Sequence, residues 1–392
     1  MSNDNNIKNK AENRVENKDD IKRVNREMKK DAKTNADKGG KAGVGSGAGG
    51  ERAAANIRDD EIMRVSGLKK YFPITSGFLK TTSGYVKAVD EVNLHIKKGE
   101  TFGLVGESGC GKTTIGRCIL RAIEPTAGEM RFRHNDNVVD VNTLGHKDLR
   151  RIRRDMQMIF QDPYSSLNPR KTVQGIISEP ITCNKLMSGR ELRERVMDLM
   201  EMVGLDKKQL ERYPHAFSGG QRQRIGIARA LATNPSFIVC DEAVSALDVS
   251  VQAQILNLLM ELQNKLRLSY LFISHDLGVI RHISDRVGVM YVGKIVESAE
   301  TGELYTKPLH PYTEALLSAI PPPNPRLQSE RIVLEGDVAN PAKLPEGCYF
   351  HPRCRYCKER CKKEHPEFRD MGGGRFVACH YAEDLTLKSV AH

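Results

Sequence analysis

Eight residues constrain this chain more than any others: GESGCGKT, Gly106 to Thr113. The apolar run TFGLV precedes them and the apolar-periodic TIGRCILRAI follows, so a short strand enters the loop and a helix leaves it. Glycines let the backbone wrap with its N–H groups pointing inward. Those donors, together with a helix N-terminus, suit a polyphosphate. The spacing sets Lys112 to reach the β- and γ-phosphates and the Thr113 hydroxyl to coordinate Mg²⁺. A segment of this kind belongs in an α/β sheet and binds a nucleoside triphosphate.

The rest of the chain agrees with that architecture. IMRVSGLKKYF and VKAVDEVNLHI alternate apolar and polar residues like antiparallel strands. MQMIF, SFIVC and SYLFIS read as further strands, separated by helical stretches such as ELRERVMDLMEMV and VQAQILNLLMELQNKL, the pattern of a parallel sheet flanked by helices. Residues 1–60 hold few large apolar side chains and end in a Gly-rich run, so they read as a disordered polar tail and linker. An ATPase-sized domain then spans 61–320, with helical character at about 163–217. PPPNP at 321–325 opens a smaller Cys-rich extension, 321–392.

Composition excludes some classes and leaves others open. No apolar run approaches the roughly 20 residues that span a bilayer, and MSNDNNIKNK has no apolar signal core, so the chain is expected in the cytosol. Any membrane role then comes through a partner. The net charge of +11 invites a nucleic-acid reading, but no basic block with interleaved aromatics accompanies it.

Two further stretches complete a nucleotide-hydrolysing site. FIVCDE is an apolar strand ending in Asp241, suited to hold Mg²⁺, and Glu242, suited to polarise a water. FSGGQRQRIGIARAL opens a helix at Ser218, Gly219 and Gly220, a second anion-binding N-terminus with no strand before it. One site needs one phosphate loop, so the second terminus suggests a nucleotide sandwiched between two subunits.

In this order the pieces resemble ATP-binding cassette ATPases. The phosphate loop (Gly106, Glu107, Ser108, Gly109, Cys110, Gly111, Lys112, Thr113, then Thr114) is followed by the Q-loop glutamine Gln161 in MIFQDPYSSLNP. The signature is SGGQ (Ser218, Gly219, Gly220, Gln221), the acidic pair is Asp241–Glu242, the D-loop SALD ends in Asp248, and the switch histidine is His275 in ISHDL. The resemblance implies an α/β nucleotide-binding domain with an antiparallel β subdomain and a helical subdomain, working as a head-to-tail pair. It implies Thr113, Gln161 and Asp241 around Mg²⁺ and Glu242, Gln161 and His275 in hydrolysis. Tyr71 stands where such proteins stack an aromatic ring on adenine, with Tyr85 and Phe78 as alternatives. Ala243 occupies a place usually given to proline.

RRDMQMIFQDPYSSLNPR, ERYPHAFSGGQRQRIGIARAL and HPYTEALLSAIP narrow the resemblance to the ATPase subunits of oligopeptide and dipeptide importers, the second of two such subunits in particular. That implies a paralogous ATPase partner, two permease subunits, an extracellular binding protein, and work at the cytoplasmic face of the membrane, with no direct contact to nucleic acid. A soluble nucleic-acid-associated ATPase, or an importer of nickel or another small solute, is the alternative.

CYFHPRCRYCKERC and a later Cys379 pack five cysteines near the C-terminus. Among reduced thiols a disulfide staple is disfavoured, and close cysteines read as metal or cluster ligands. Cys348, Cys354, Cys361 and Cys379, spaced C-x5-C-x6-C-x17-C, resemble the peptide-importer pattern, which implies a [4Fe–4S] cluster; zinc or plain free thiols are the alternatives, and Cys357 is a fifth thiol able to replace a neighbour.

Overall fold

The apolar runs become two sheets. Strands β1 (Glu61–Ser76) and β2 (Thr81–Lys97) pair antiparallel; β4 (Ala127–His134) joins β1 and β5 (Asn137–Asp140) joins β4, giving the order β2-β1-β4-β5. This computed structural model describes residues 57–76, 81–135, 137–320 and 331–389. The expected tail and linker up to residue 56, Phe78, and PPPNP lie outside the described residues.

The second sheet has a parallel centre. Strand β3 (Thr101–Val105) lies between β9 (Arg286–Tyr291) and β8 (Ser269–Ile273), followed by β7 (Phe237–Asp241) and β6 (Met156–Ile159). Every residue of β3, β7, β8 and β9 is buried, which explains their unbroken apolar runs: a parallel sheet is covered on both faces. On one face lie helices α5 (Gly219–Leu231) and α6 (Val249–Leu266), and α3 (Val173–Cys183) and α4 (Gly189–Met202) pack in turn on α5. The other face packs against the antiparallel sheet and α1 (Lys112–Ile119). Within 163–217 the described regular elements are helical, as expected.

The connections put the chemistry at one edge. The phosphate loop follows β3, Gln161 follows β6, Glu242 follows β7 and His275 follows β8. These four parallel strands are neighbours, so all four loops emerge at their carboxyl ends, where open α/β sheets bind ligands.

The C-terminal segment is not a detached appendix. β10 (Lys294–Glu300) runs antiparallel to β9, and β12 (Phe376–Val377) pairs with β10 through Glu297–Val377 and Ser298–Phe376. The Ala378 N–H donates to the Val296 carbonyl at 2.8 Å, and β11 (Arg369–Asp370) closes the edge. The Cys-rich segment thus extends the sheet that carries the phosphate loop.

Candidate functional site

A cleft of about 470 Å³ is lined by Ser108, Gly109, Gly111, Lys112, Thr113, Thr114, Gln161, Glu242 and His275, together with Ala88 from β2. Nine of these ten residues are those the sequence nominates. Ala88 is not, because nothing marks one alanine in a strand as a wall of the site.

The loop's shape depends on glycine. Gly111 has φ +110°, and a Cβ there would lie 2.1 Å from the Ala88 carbonyl oxygen, so any side chain would collide with β2. The Lys112 ammonium is held by the carbonyls of Gly106 (2.7 Å) and Glu107 (3.0 Å), next to the Cys110 sulfur. It is nearly fully buried inside its own loop, which parks the charge where a phosphate would draw it out.

Thr113 and Asp241, 128 residues apart, meet at the edge of the cleft: the Thr113 hydroxyl donates to Asp241 Oδ1 at 2.7 Å. Burial pushes the Asp241 carboxyl above the usual carboxylate range, with the Thr113 hydrogen bond acting against it. A cation offsets that desolvation cost. Oxygen donors from a hydroxyl and a carboxylate suit Mg²⁺.

Three of the nominated side chains meet in the cleft. Gln161 Nε2 donates to Glu242 Oε2 at 2.8 Å, and His275 Nδ1 lies 3.4 Å from Glu242 Oε1. Each oxygen of Glu242 thus has its own neighbour. Glu242 itself has φ +47°, a left-handed backbone rare for a residue with a side chain, and Ala243 behind it is buried.

Other nominated residues stand apart. Ser218 caps α5: its Oγ accepts from the Gln221 N–H (3.4 Å), while Gln221 Oε1 accepts from the Ser218 N–H (3.1 Å). The third signature residue has a packing reason to be small, since a Cβ on Gly220 would come 2.4 Å from Val251 Cγ1. Asp248 caps α6, accepting from the Val251 N–H at 3.0 Å and the Ser250 hydroxyl at 2.8 Å. Neither the signature nor Asp248 lines this chain's cleft.

Tyr71 lies on β1, beside the cleft residues' strand β2. Tyr71 is not among the lining residues; its hydroxyl donates to Asp90 Oδ1, and Lys87 Nζ lies 5.6 Å from its ring centroid. Tyr349 donates to the other Asp90 oxygen at 3.0 Å, so Asp90 binds β1 to the C-terminal segment. Tyr85 does not line the cleft either.

The cysteines sort themselves. Cys348, Cys354, Cys361 and Cys379 line one small cavity, with His310, Phe350 and Tyr381 also in its wall; Cys357 does not, and its sulfur points to the Lys358 carbonyl. Burial pushes the thiols of Cys348 and Cys354 up to about 12, and that of Cys379 upward. Among the described residues no group of three or more His, Cys, Asp or Glu side chains forms a single-metal-ion site, so the expected metal group is not preformed here.

The fold and this cleft define the class: an ATP-binding cassette ATPase. The ABC transporter family profile matches residues 89–245, and the profile for the oligopeptide/dipeptide transporter C-terminal region matches residues 296–361. The chain is 53 % identical over 330 residues to the oligopeptide transport ATP-binding protein AppF of Bacillus subtilis, covering 83 % of this chain and 98 % of that one. It is 47 % identical over 323 residues to the dipeptide transport ATP-binding protein DppF of Haemophilus influenzae, covering 82 % and 97 %. Among solved structures, a dimeric ATP-binding cassette, MJ0796, bound to ADP and Pi superposes with a TM-score of 0.53 at 30 % identity, covering 61 % of this chain and 99 % of that one. This chain belongs to the ABC transporter ATP-binding subunits of the oligopeptide/dipeptide type. It is an ATPase.

Proposed function

We infer that this chain is the ATP-hydrolysing motor subunit of a peptide importer, acting peripherally at the cytoplasmic face of a membrane through permease partners. The observation that carries the reading is the convergence of Lys112, Thr113, Asp241, Glu242, Gln161 and His275 at one edge, joined to a peptide-transporter C-terminal segment. Among the described residues no helix is long and apolar enough to cross a membrane, so a membrane role rests on partners.

The chemistry follows from those residues. The loop amides and Lys112 hold the phosphates, and Thr113 and Asp241 would hold a Mg²⁺ ion, which would supply positive charge beside the phosphates. Glu242 orients the attacking water, and Gln161 and His275 keep its carboxylate aimed. The signature helix's exposed N-cap Ser218 and the exposed Asp248 lie off this cleft, which supports a head-to-tail dimer in which each subunit's signature meets the other's phosphate loop. ATP then binds best to the closed pair, and hydrolysis releases it. A paralogous ATPase, two permeases and an extracellular binding protein complete the importer.

The four-thiol cavity favours a [4Fe–4S] cluster held by Cys348, Cys354, Cys361 and Cys379, supplying a structural staple for the C-terminal segment. The donor set fits in kind and number, and buried thiols of raised pKa ionise readily only beside a cation.

Deleting the gene and measuring uptake of labelled di- and oligopeptides tests the transport reading, with co-purification of membrane permeases beside it. Lost peptide uptake restored by the wild-type chain is expected. Normal peptide uptake, with salt-sensitive nucleic-acid binding by the purified chain, would overturn it.

A further inference from the structure

Glu107 is an acidic residue in a loop built for a polyphosphate, which is a charge conflict. The fold resolves it from 246 residues away. Arg353 Nη1 and Nη2 grip Glu107 Oε2 and Oε1 at 2.7 and 3.0 Å, a two-pronged pair whose arginine side chain is almost fully buried. The Glu107 N–H, for its part, donates to the Tyr312 hydroxyl at 2.9 Å.

Arg353 is held in place by its own packing. It ends a short 3₁₀ turn, His351–Arg353, that begins just after Phe350. Phe350 is buried against Tyr291 of β9 and Tyr312, with ring centroids at 5.3 and 5.4 Å. The turn sits between Cys348 and Cys354, with the Cys348 N–H donating to the Cys361 carbonyl at 2.8 Å. The thiol-bearing backbone therefore sets where the guanidinium points.

We propose that Arg353 is a positioning residue of the nucleotide site: it neutralises Glu107 and fixes the first turn of the phosphate loop, so that the C-terminal segment sets ATP affinity. The proposal needs only that this loop binds ATP, and it holds whether or not the thiols carry a cluster. Without Arg353, an unpaired carboxylate stands in the phosphate-binding loop and repels the incoming anion.

The test is equilibrium binding of MgATP to the full chain. Arg353→Met weakens the dissociation constant by about tenfold, the scale of one close charge–charge interaction at a partly screened site. Adding Glu107→Gln to Arg353→Met recovers affinity to within about threefold of wild type, because the repelling charge is gone. The Arg353→Met deficit also shrinks as salt rises from 50 mM to about 0.5 M, since screening acts on repulsion and not on a packing defect. Arg353→Lys, which keeps the charge but loses the second prong, falls between wild type and Arg353→Met. Arg353→Gln, uncharged but polar, serves with the same expected loss of about tenfold if Arg353→Met fails to fold. Unchanged affinity in Arg353→Met would overturn the proposal. So would a double variant as weak as Arg353→Met alone, a salt-independent deficit, or an Arg353→Lys as weak as the methionine. Failure of ATP to bind the wild-type chain would instead sink the nucleotide reading itself.

Discussion

At the scale of single residues, Glu242 combines backbone strain with chemistry. A left-handed backbone costs a side-chain-bearing residue about 1–3 kcal/mol, and here the turn enforces it. The Glu242 N–H donates to the Ile273 carbonyl at 3.0 Å, and the Ser245 N–H donates to the Glu242 carbonyl at 3.1 Å. Strain of this kind aims the carboxylate into the cleft between Gln161 and His275. Glu242→Gln keeps shape and hydrogen bonding but loses the proposed base. It is expected to bind MgATP as wild type does while phosphate release falls by about 10²–10⁴ in single turnover. That Lys112, Thr113 and Glu242 share one cleft was legible because each sits at a fixed offset in a local strand–turn–helix pattern. Arg353 and Ala88 were not, since an arginine in a basic tail and an alanine in a strand match no pattern. The Tyr71 hydroxyl bond to Asp90 was not legible either, since it depends on how the long β1–β2 hairpin pairs.

At the scale of elements, helix α9 (Pro311–Ser318) shows how a cap far from the cleft supports it. His310 precedes the helix, and its Nδ1 accepts the Tyr312 N–H at 3.0 Å, fixing the tyrosine whose hydroxyl accepts from Glu107. Burial alone lowers the His310 pKa to about 3, so the folded protein keeps the ring neutral. The folded value lies below the unfolded 6.5, so the unfolded chain binds the extra proton. This contribution to stability is whole above pH 6.5 and is lost as the pH falls toward 3. Between pH 7 and pH 5 the wild type is expected to lose about 2 kcal/mol from this group. His310→Ala should start about 1 kcal/mol lower at pH 7 and show a flatter decline in urea unfolding. A variant with the wild-type slope would assign the acid sensitivity elsewhere. The elements themselves were legible where period and length agreed, as in the five-residue apolar strands. β11 and β12, two residues each, were not, because a strand that short exists only through the edge it joins.

At the scale of the whole molecule, the C-terminal segment is tied to the rest of the protein by several contacts, among them the Tyr349–Asp90 hydrogen bond. It adds strands to β10, packs Phe350 under β9, and delivers Arg353 to the phosphate loop. The cavity closed by Cys348, Cys354, Cys361 and Cys379 lies inside that arrangement, with Cys357 outside it. In anaerobically purified protein, Cys354→Ser is expected to lose iron and acid-labile sulfide and to lower the unfolding midpoint, while Cys357→Ser retains both. Iron-free wild-type protein, or equal loss in the two variants, would contradict the assignment. The sequence by itself determined the nucleotide chemistry, because a phosphate loop, an acidic strand end and a signature helix are each contiguous and carry their own local geometry. Only the tertiary structure decided what meets across distance: Gln161 with Glu242, Thr113 with Asp241, Glu107 with Arg353, and which four of five thiols share a cavity. Those pairings are set by strand order and by how the chain's end packs against the sheet, and neither leaves a period or a spacing in the sequence.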